Sequence, residues 1–572
     1  MITSKILALT AAIIVAMSGS ATAAQHLRPA DHDDQVRHVL LISVDGLHAV
    51  DVSNWIAQHH NSSLAYLSDK GVTYTAARTT TPSDSFPGLL SLVTGGTPKS
   101  TGVYYDDSYD RTLYAPSSNC AGNPGIEVVF DESIDYDMTK LFSGGINPAN
   151  LPMEKSASGR CSPVYPHSFV KVNTIFEVIK QAGGRTAWAD KHAAYDLVNG
   201  PSGTGVGDLY APEVNSLIAN GGTVNGVNLS ATFAKCDGTN SLPVSKVKDY
   251  TTCIPAIEAY DDVKVQAVVN QINGLKSDGS ARLGVPTILG MNFQAVSVGQ
   301  KLPVGGYSSA SGTPSSNLRS ALAHTDRSIG RILSELDRRH LLESTLIVLT
   351  AKHAQSPINP GVLAMESGGR GDTTVLDPAG FVALADPSVD SPSSFINPNT
   401  GGTPSTNGHL QTDDVGLVWL QNQSPSNIAG VVSQLHANAS SIHADRLPPG
   451  TVLSKSINAG HSLANLFGDP TSNDPIAYAR APNVVIQPNA GVIYSGSSKK
   501  IAEHGGGTLD DTGVALIVSL PSIKERSVSA IVSTTQIAPT ILRALELNVR
   551  RLDAVRIEGT RVLPGLFTQI QK

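Results

Sequence analysis

The sequence predicts an α/β fold, a largely parallel sheet covered by helices. Three observations carry this prediction. Continuous apolar runs of strand length recur at His38–Val44, Thr345–Thr350 and Val514–Val518. Helical patterns alternate with runs of this kind towards both ends of the chain. The first run stops at Asp45-Gly46, the second just before Lys352-His353, and the third follows shortly after His504. In an open α/β sheet, ligands bind beyond the carboxyl ends of the strands, so these polar residues mark one edge.

Taken in order, the chain opens on an export signal, residues 1–23. Lys5 supplies the positive start, Ile6 to Met17 is apolar, and Ala21-Thr22-Ala23 is a small-x-small cleavage site. The apolar run is too short to span a bilayer, and no later segment approaches about 20 apolar residues. A soluble protein, secreted or periplasmic, is expected, with no membrane partner. A net charge of −7 over 572 residues gives no reason to expect a nucleic-acid-binding surface either. Cys120, Cys161, Cys236 and Cys253 contain no C-x-x-C pair, which leaves loop staples rather than a zinc knuckle. Pairing of nearest neighbours, Cys120 with Cys161 and Cys236 with Cys253, is the expectation, and the sequence leaves the other two connectivities open.

Beyond the first strand, Thr79 to Gly88 leads into the apolar helical stretch LLSLVTG. Pro87 suits a first helical turn, placing Ser85 at or near the N-cap. Ser85 there caps the helix, or it uses the same unpaired N–H groups and dipole to meet an anion as an alkoxide. A helix over Asn173–Gly184 precedes Ala187 to His192, read as a solvated loop in preference to a substrate contact. Gln294 follows the strand-like Gly290–Phe293, and Ile329, Ile332, Leu333 and Leu336 stripe a helix leading to Thr345. Thr535–Leu545 reads as a closing helix. The core, residues 36–572, carries a cysteine-containing insertion over about 107–255. A second, cap-like insertion over about 355–500 is rich in Gly, Pro, Ser and Asn, yet includes a strand-like Gly416–Leu420 and a helix-like Ile428–Leu435.

At this point the chain resembles the type I phosphodiesterase/nucleotide pyrophosphatase branch of the alkaline phosphatase superfamily. The resemblance rests on an ordered set. Val44-Asp45-Gly46 comes first, then Ser85 to Asp106, then Ile329-Gly330 before Thr350 to Ser356, then Glu503 to Gly507, and last Ala538-Pro539-Thr540. It implies an alkaline-phosphatase-like three-layer α/β/α sandwich with insertions. It also implies a small phosphate-ester substrate and a covalent phosphoryl intermediate on Ser85. In the family two zinc ions activate the nucleophile and hold the leaving group or water. The matching ligands here are Asp45, His353 and His504, with Gln294 near a further ligand position.

The departures from that pattern shape the expectation. A carboxylate ligand of the family is Lys352 here, its Asp-x-x-x-His pair falls near Gln294 and Val298, and its phosphoryl-contacting asparagine falls at Asp106. An ammonium among zinc ligands costs Coulomb energy in a low-dielectric pocket. Lys352 therefore replaces a metal as a catalytic charge or base, or one divalent ion stays with Asp84, Asp106 or His48 as substitutes, or the site only binds an anion. The expectation is at most one ion and a retained phosphodiesterase or phosphatase activity. Asp106 and Tyr105 are expected at the substrate. The alternatives are a non-catalytic secreted phosphate- or glycan-binding protein and, further off, a sulfatase-type hydrolase. Leu89 stands where the sulfatase block requires Arg.

Overall fold

The computed structural model describes residues 35–366, 409–420, 422–438, 453–494 and 500–567. The expected export signal and the middle of the expected second insertion lie outside the described residues.

A central eight-stranded sheet runs in the order Arg526–Val528, Gly71–Tyr74, Leu516–Ser519, Thr345–Thr350, His38–Val44, Ile288–Phe293, Ala187–Ala189, Asp208–Tyr210. Every neighbouring pair is parallel except the two that Leu516–Ser519 makes, which are antiparallel. The sheet is therefore parallel apart from this one strand. Its middle strands read as unbroken apolar runs because both faces are covered. Val39, Leu40, Leu41, Ile42 and Val44 are all buried, and each such side chain is worth about 1.5–3 kcal/mol over an exposed one. The register, Val44 beside Phe293 and Ser43 beside Thr350, sets their carboxyl ends level.

The helix Ser316–Arg338 buries Ile329, Ile332, Leu333 and Leu336, as its stripe requires. The closing helix spans Ile537–Ala544, with Pro539 in its first turn. The third strand is Leu516–Ser519, two residues later than its apolar run begins.

The segment 107–255 is not all insertion, because Ala187–Ala189 and Asp208–Tyr210 belong to the central sheet. Its remaining parts are short hairpins and 3-10 turns, joined by the disulfides Cys120–Cys161 and Cys236–Cys253. These are the expected pairs. The second insertion contains a four-stranded antiparallel sheet, His409–Thr412, Gly416–Trp419, Val484–Pro488 and Leu453–Ala459. Trp419, Leu417 and Phe467 pack there against Tyr104, Tyr105 and Tyr109. Arg480 ties this unit to the core, bonding Asp110 at 2.8 Å and lying over the Phe169 ring. Among the described residues no helix is long and apolar enough to cross a membrane.

Candidate functional site

Four adjacent parallel strands deliver polar residues to one edge of the sheet. Asp45 follows His38–Val44, Lys352 and His353 follow Thr345–Thr350, Gln294 follows Ile288–Phe293, and Asp190 and Lys191 follow Ala187–Ala189. The antiparallel strand contributes from its other end, because the loop Glu503–Gly507 lies before it on that same edge. Gly505 donates its N–H to the Ser83 carbonyl at 2.8 Å, and Ser83 donates to Gly506 at 3.1 Å. That exchange lays His504 beside Asp84.

The helix Ser85–Thr94 starts over this edge and is buried along its whole length. Asp84, not Ser85, is the N-cap, and its carboxylate accepts the Phe86 N–H at 3.1 Å. Ser85 is thus the first helical residue, with its hydroxyl free of capping duty and the dipole behind it. Gly88 allows the helix to rest on the neighbouring strand end. A Cβ there would lie 2.1 Å from the Lys352 carbonyl oxygen.

Asp45 is the hub. Its Oδ2 accepts from Gln294 Nε2 at 2.6 Å, Asn292 Nδ2 at 3.1 Å and Lys191 Nζ at 3.4 Å. Lys352 Nζ lies 3.5 Å and His353 Nε2 3.6 Å from the same atom. Burial alone would raise the Asp45 carboxyl, yet the charges of Lys352, His353 and Lys191 hold it well below the usual carboxylate range. Lys191 Nζ also donates to Ser85 Oγ at 3.1 Å. Burial would lower the Lys191 ammonium, but Asp45, Asp190, Asp106 and Asp84 raise it above its ordinary value. Lys352 is completely buried, donating to Asp190 Oδ1 at 3.2 Å and to the Tyr195 hydroxyl at 3.0 Å. Loss of solvent lowers it in spite of those partners.

The other half of the site is built differently. His504 Nδ1 lies 3.4 Å from Asp84 Oδ1, and its ring sits 4.0 Å from that of His353. Burial lowers both imidazoles, His504 strongly. Burial also raises Asp84 to about 6 and Asp106 to about 8, the latter assisted by the Asp84 charge. Asp106 donates its backbone N–H to Asp84 Oδ2 at 3.2 Å. Asp45 Oδ1, Asp84 Oδ1, His353 Nε2 and His504 Nδ1 are buried without a hydrogen-bond partner among the described residues.

Ser85, Asp45, Lys352, His353, His504, Gln294 and Asp106 are therefore neighbours, but several roles change. Lys352 points to Asp190 and Tyr195, and Lys191 is the lysine at Ser85. The expectation of a solvated loop at Lys191 fails, because only 14% of its side chain is exposed. The signal was its position two residues after an apolar triplet, too short to read as a strand. Gln294 presents a donor to Asp45, not a ligand oxygen. Tyr105 is 2% exposed with its hydroxyl given to Asp413 at 3.0 Å, so it cannot stack on a substrate ring. His48 is engaged by Tyr307 at 2.7 Å and the Asp510 carbonyl at 2.8 Å, which removes it as a substitute ligand.

The donor set does not fit a pair of zinc ions. Around Asp45 two ammoniums and two amides stand where divalent charge would need anionic or imidazole ligands. The unpartnered atoms of Asp45, Asp84, His353 and His504 are carboxylate oxygens and imidazole nitrogens, but the residues here whose ligand atoms lie within 4.8 Å of one another are Asp413, Glu503 and His504. A divalent ion held there would supply positive charge to a phosphoryl oxygen.

The sequence pattern described as type I phosphodiesterase/nucleotide pyrophosphatase matches residues 39–202 and 297–508. No curated protein sequence matches the chain. Among solved structures, wild-type alkaline phosphatase PafA is similar at 13% identity and TM-score 0.52, covering 90% of this chain and 96% of that one. A multiply substituted form of PafA aligns at 12% identity and TM-score 0.54 with the same coverage. Murine ectonucleotide pyrophosphatase/phosphodiesterase 5 aligns at 12% identity and TM-score 0.49, again over 90% and 96%. The likeness to PafA establishes a common alkaline-phosphatase-like fold. With the pattern matched over well more than half of its length, the chain belongs to the type I phosphodiesterase/nucleotide pyrophosphatase family of phosphoric ester hydrolases.

Proposed function

We propose that the chain is an exported hydrolase of phosphodiesters or phosphomonoesters that uses Ser85 as its nucleophile. The observation that carries this reading is the Lys191 ammonium 3.1 Å from Ser85 Oγ, at the start of a helix. Ser85 Oγ attacks phosphorus in line as its proton passes to solvent, the bond to the leaving oxygen breaks with that oxygen taking up a proton from solvent, and a phosphoserine remains. Water then attacks that phosphorus from the vacated side and restores the serine.

Phosphoryl transfer asks mainly for positioning and charge. Lys191 donates to Ser85 Oγ and stabilises the alkoxide as the proton leaves. Its raised affinity for a proton suits it to this role and not to that of a base. Lys352 adds a second fixed charge, one step back, through Asp45 and Tyr195. Two lysines thereby supply near Asp45 what metal charge supplies elsewhere in the family. His504 and Asp106 border the other side, where one divalent ion at most would sit.

The test is turnover of bis-p-nitrophenyl phosphate and p-nitrophenyl phosphate by wild type and Ser85→Ala, with metal content measured in parallel. The expected result is a loss on the order of 10⁴-fold or more for the variant. Equal turnover would remove Ser85 from the mechanism. One observation favours a second reading, a phosphate-binding protein without turnover, namely that Ser85 is only 2% exposed. Phosphate binding with no hydrolysis of either ester would select it.

A further inference from the structure

A second cluster lies outside the Asp45 site, at the seam between the two insertions. The strands Asp107–Asp110 and Ile126–Val129 form an antiparallel hairpin in which Asp107 faces Val129 and Tyr109 faces Glu127. That register puts Asp107 and Glu127 diagonally on one face. The facing group is His409, first residue of the strand His409–Thr412 in the small sheet. Its ring stacks on Tyr109 at 5.8 Å between centroids and lies 5.7 Å from Trp419.

The hydrogen bonding of this cluster is incomplete. Asp107 Oδ1, Glu127 Oε1 and His409 Nε2 are buried and have no hydrogen-bond partner among the described residues. Glu127 Oε1 and His409 Nε2 are 3.7 Å apart, and one ligand atom from each of the three residues lies within 4.8 Å of the others. Asp107 is 8% and His409 7% exposed. Two carboxylates within reach of each other, with no donor between them, are costly when water is excluded. A neutral hydrogen-bond donor could satisfy one of these atoms, whereas a cation at their centre satisfies all three.

We propose that Asp107, Glu127 and His409 form a divalent cation site that clasps the first insertion to the second. Two carboxylate oxygens and one imidazole nitrogen suit a borderline ion such as Zn²⁺. The ion joins segments about 300 residues apart in sequence, so it acts on packing, away from the phosphoryl chemistry. It also steadies one wall of the candidate active site, since Asp106, next to Asp107, donates to Asp84.

The experiment uses full-length mature protein stripped with a chelator and titrated with Zn²⁺ by calorimetry, with the unfolding midpoint read with and without the ion. Wild type is expected to take up one equivalent more than Glu127→Gln and His409→Ala, and to gain a larger rise in midpoint. Glu127→Gln keeps the shape of the side chain and decides the matter if His409→Ala does not fold. Equal stoichiometry in wild type and in folded Glu127→Gln overturns the site. The stoichiometry is read by calorimetry and not by turnover, and the Ser85→Ala comparison is made without these substitutions, so the two readings stand or fall separately.

Discussion

The two halves of the candidate site solve the same problem in opposite ways. Around Asp45, Oδ2 meets two lysines and two amides, and Asp45 stays ionised although it is buried. Around Asp84, two carboxyls face each other and a neutral His504, and burial pushes both towards protonation. One half has its positive charge built into the chain, and the other has anionic and imidazole groups left over. In the function proposed above, lysine at two strand ends supplies positive charge near Asp45.

Substitutions that exchange the character of the halves should have unequal effects. The largest is expected for Asp45→Asn, which removes the carboxylate that Lys191 and Lys352 share and leaves the two buried ammoniums to Asp190 and its neighbours. A loss of about 3–5 kcal/mol of stability follows from removing one partner of a buried charge set, read as a lower denaturation midpoint. Asp84→Asn keeps an N-cap and removes an ill-matched charge, so a much smaller change is expected. Equal losses for the two would erase the distinction.

Lys191→Ala should lower kcat by roughly 10²–10³-fold, the usual cost of losing one preorganised charge in such a site. Lys352→Met should cost less, because its ammonium does not touch Ser85. The reverse order would restore Lys352 as the principal charge.

How much of this was legible in the sequence follows from the kind of signal involved. The strands His38–Val44 and Thr345–Thr350 are visible because two-sided burial leaves unbroken apolar runs. Asp45, Lys352, His353 and His504 are visible because strand ends are where a sheet gathers ligands. Lys191 escaped because the strand before it, Ala187–Ala189, has only three residues and joins the sheet through distant pairing. The direction of Leu516–Ser519 escaped for a related reason, since an apolar run carries no sign of its orientation. The change of role for Gln294 depends on a side-chain rotamer, which spacing does not specify.

Two smaller effects sharpen the picture. Gly88→Ala should cost about 1–3 kcal/mol, because the new methyl meets the Lys352 backbone and not a yielding side chain. A free helix position would instead gain stability from alanine. The pH dependence has a definite sign. Asp84 and Asp106 bind protons more tightly folded than unfolded, so their contribution is full below about 4, the unfolded carboxyl value. It is lost as pH rises through about 6 and about 8. The thermal midpoint should therefore fall between pH 5 and 9 in wild type, and fall less in Asp106→Asn. An identical slope in both would show that Asp106 is ionised throughout.

The nucleophile itself can be caught. Acid quenching of wild type during steady turnover of p-nitrophenyl phosphate, followed by peptide mass spectrometry, should find a phosphoryl group on Ser85. Lys191→Ala should accumulate it more slowly. Turnover with no phosphoserine at position 85, under conditions that trap acid-stable phosphopeptides, would contradict a serine attack assisted by Lys191.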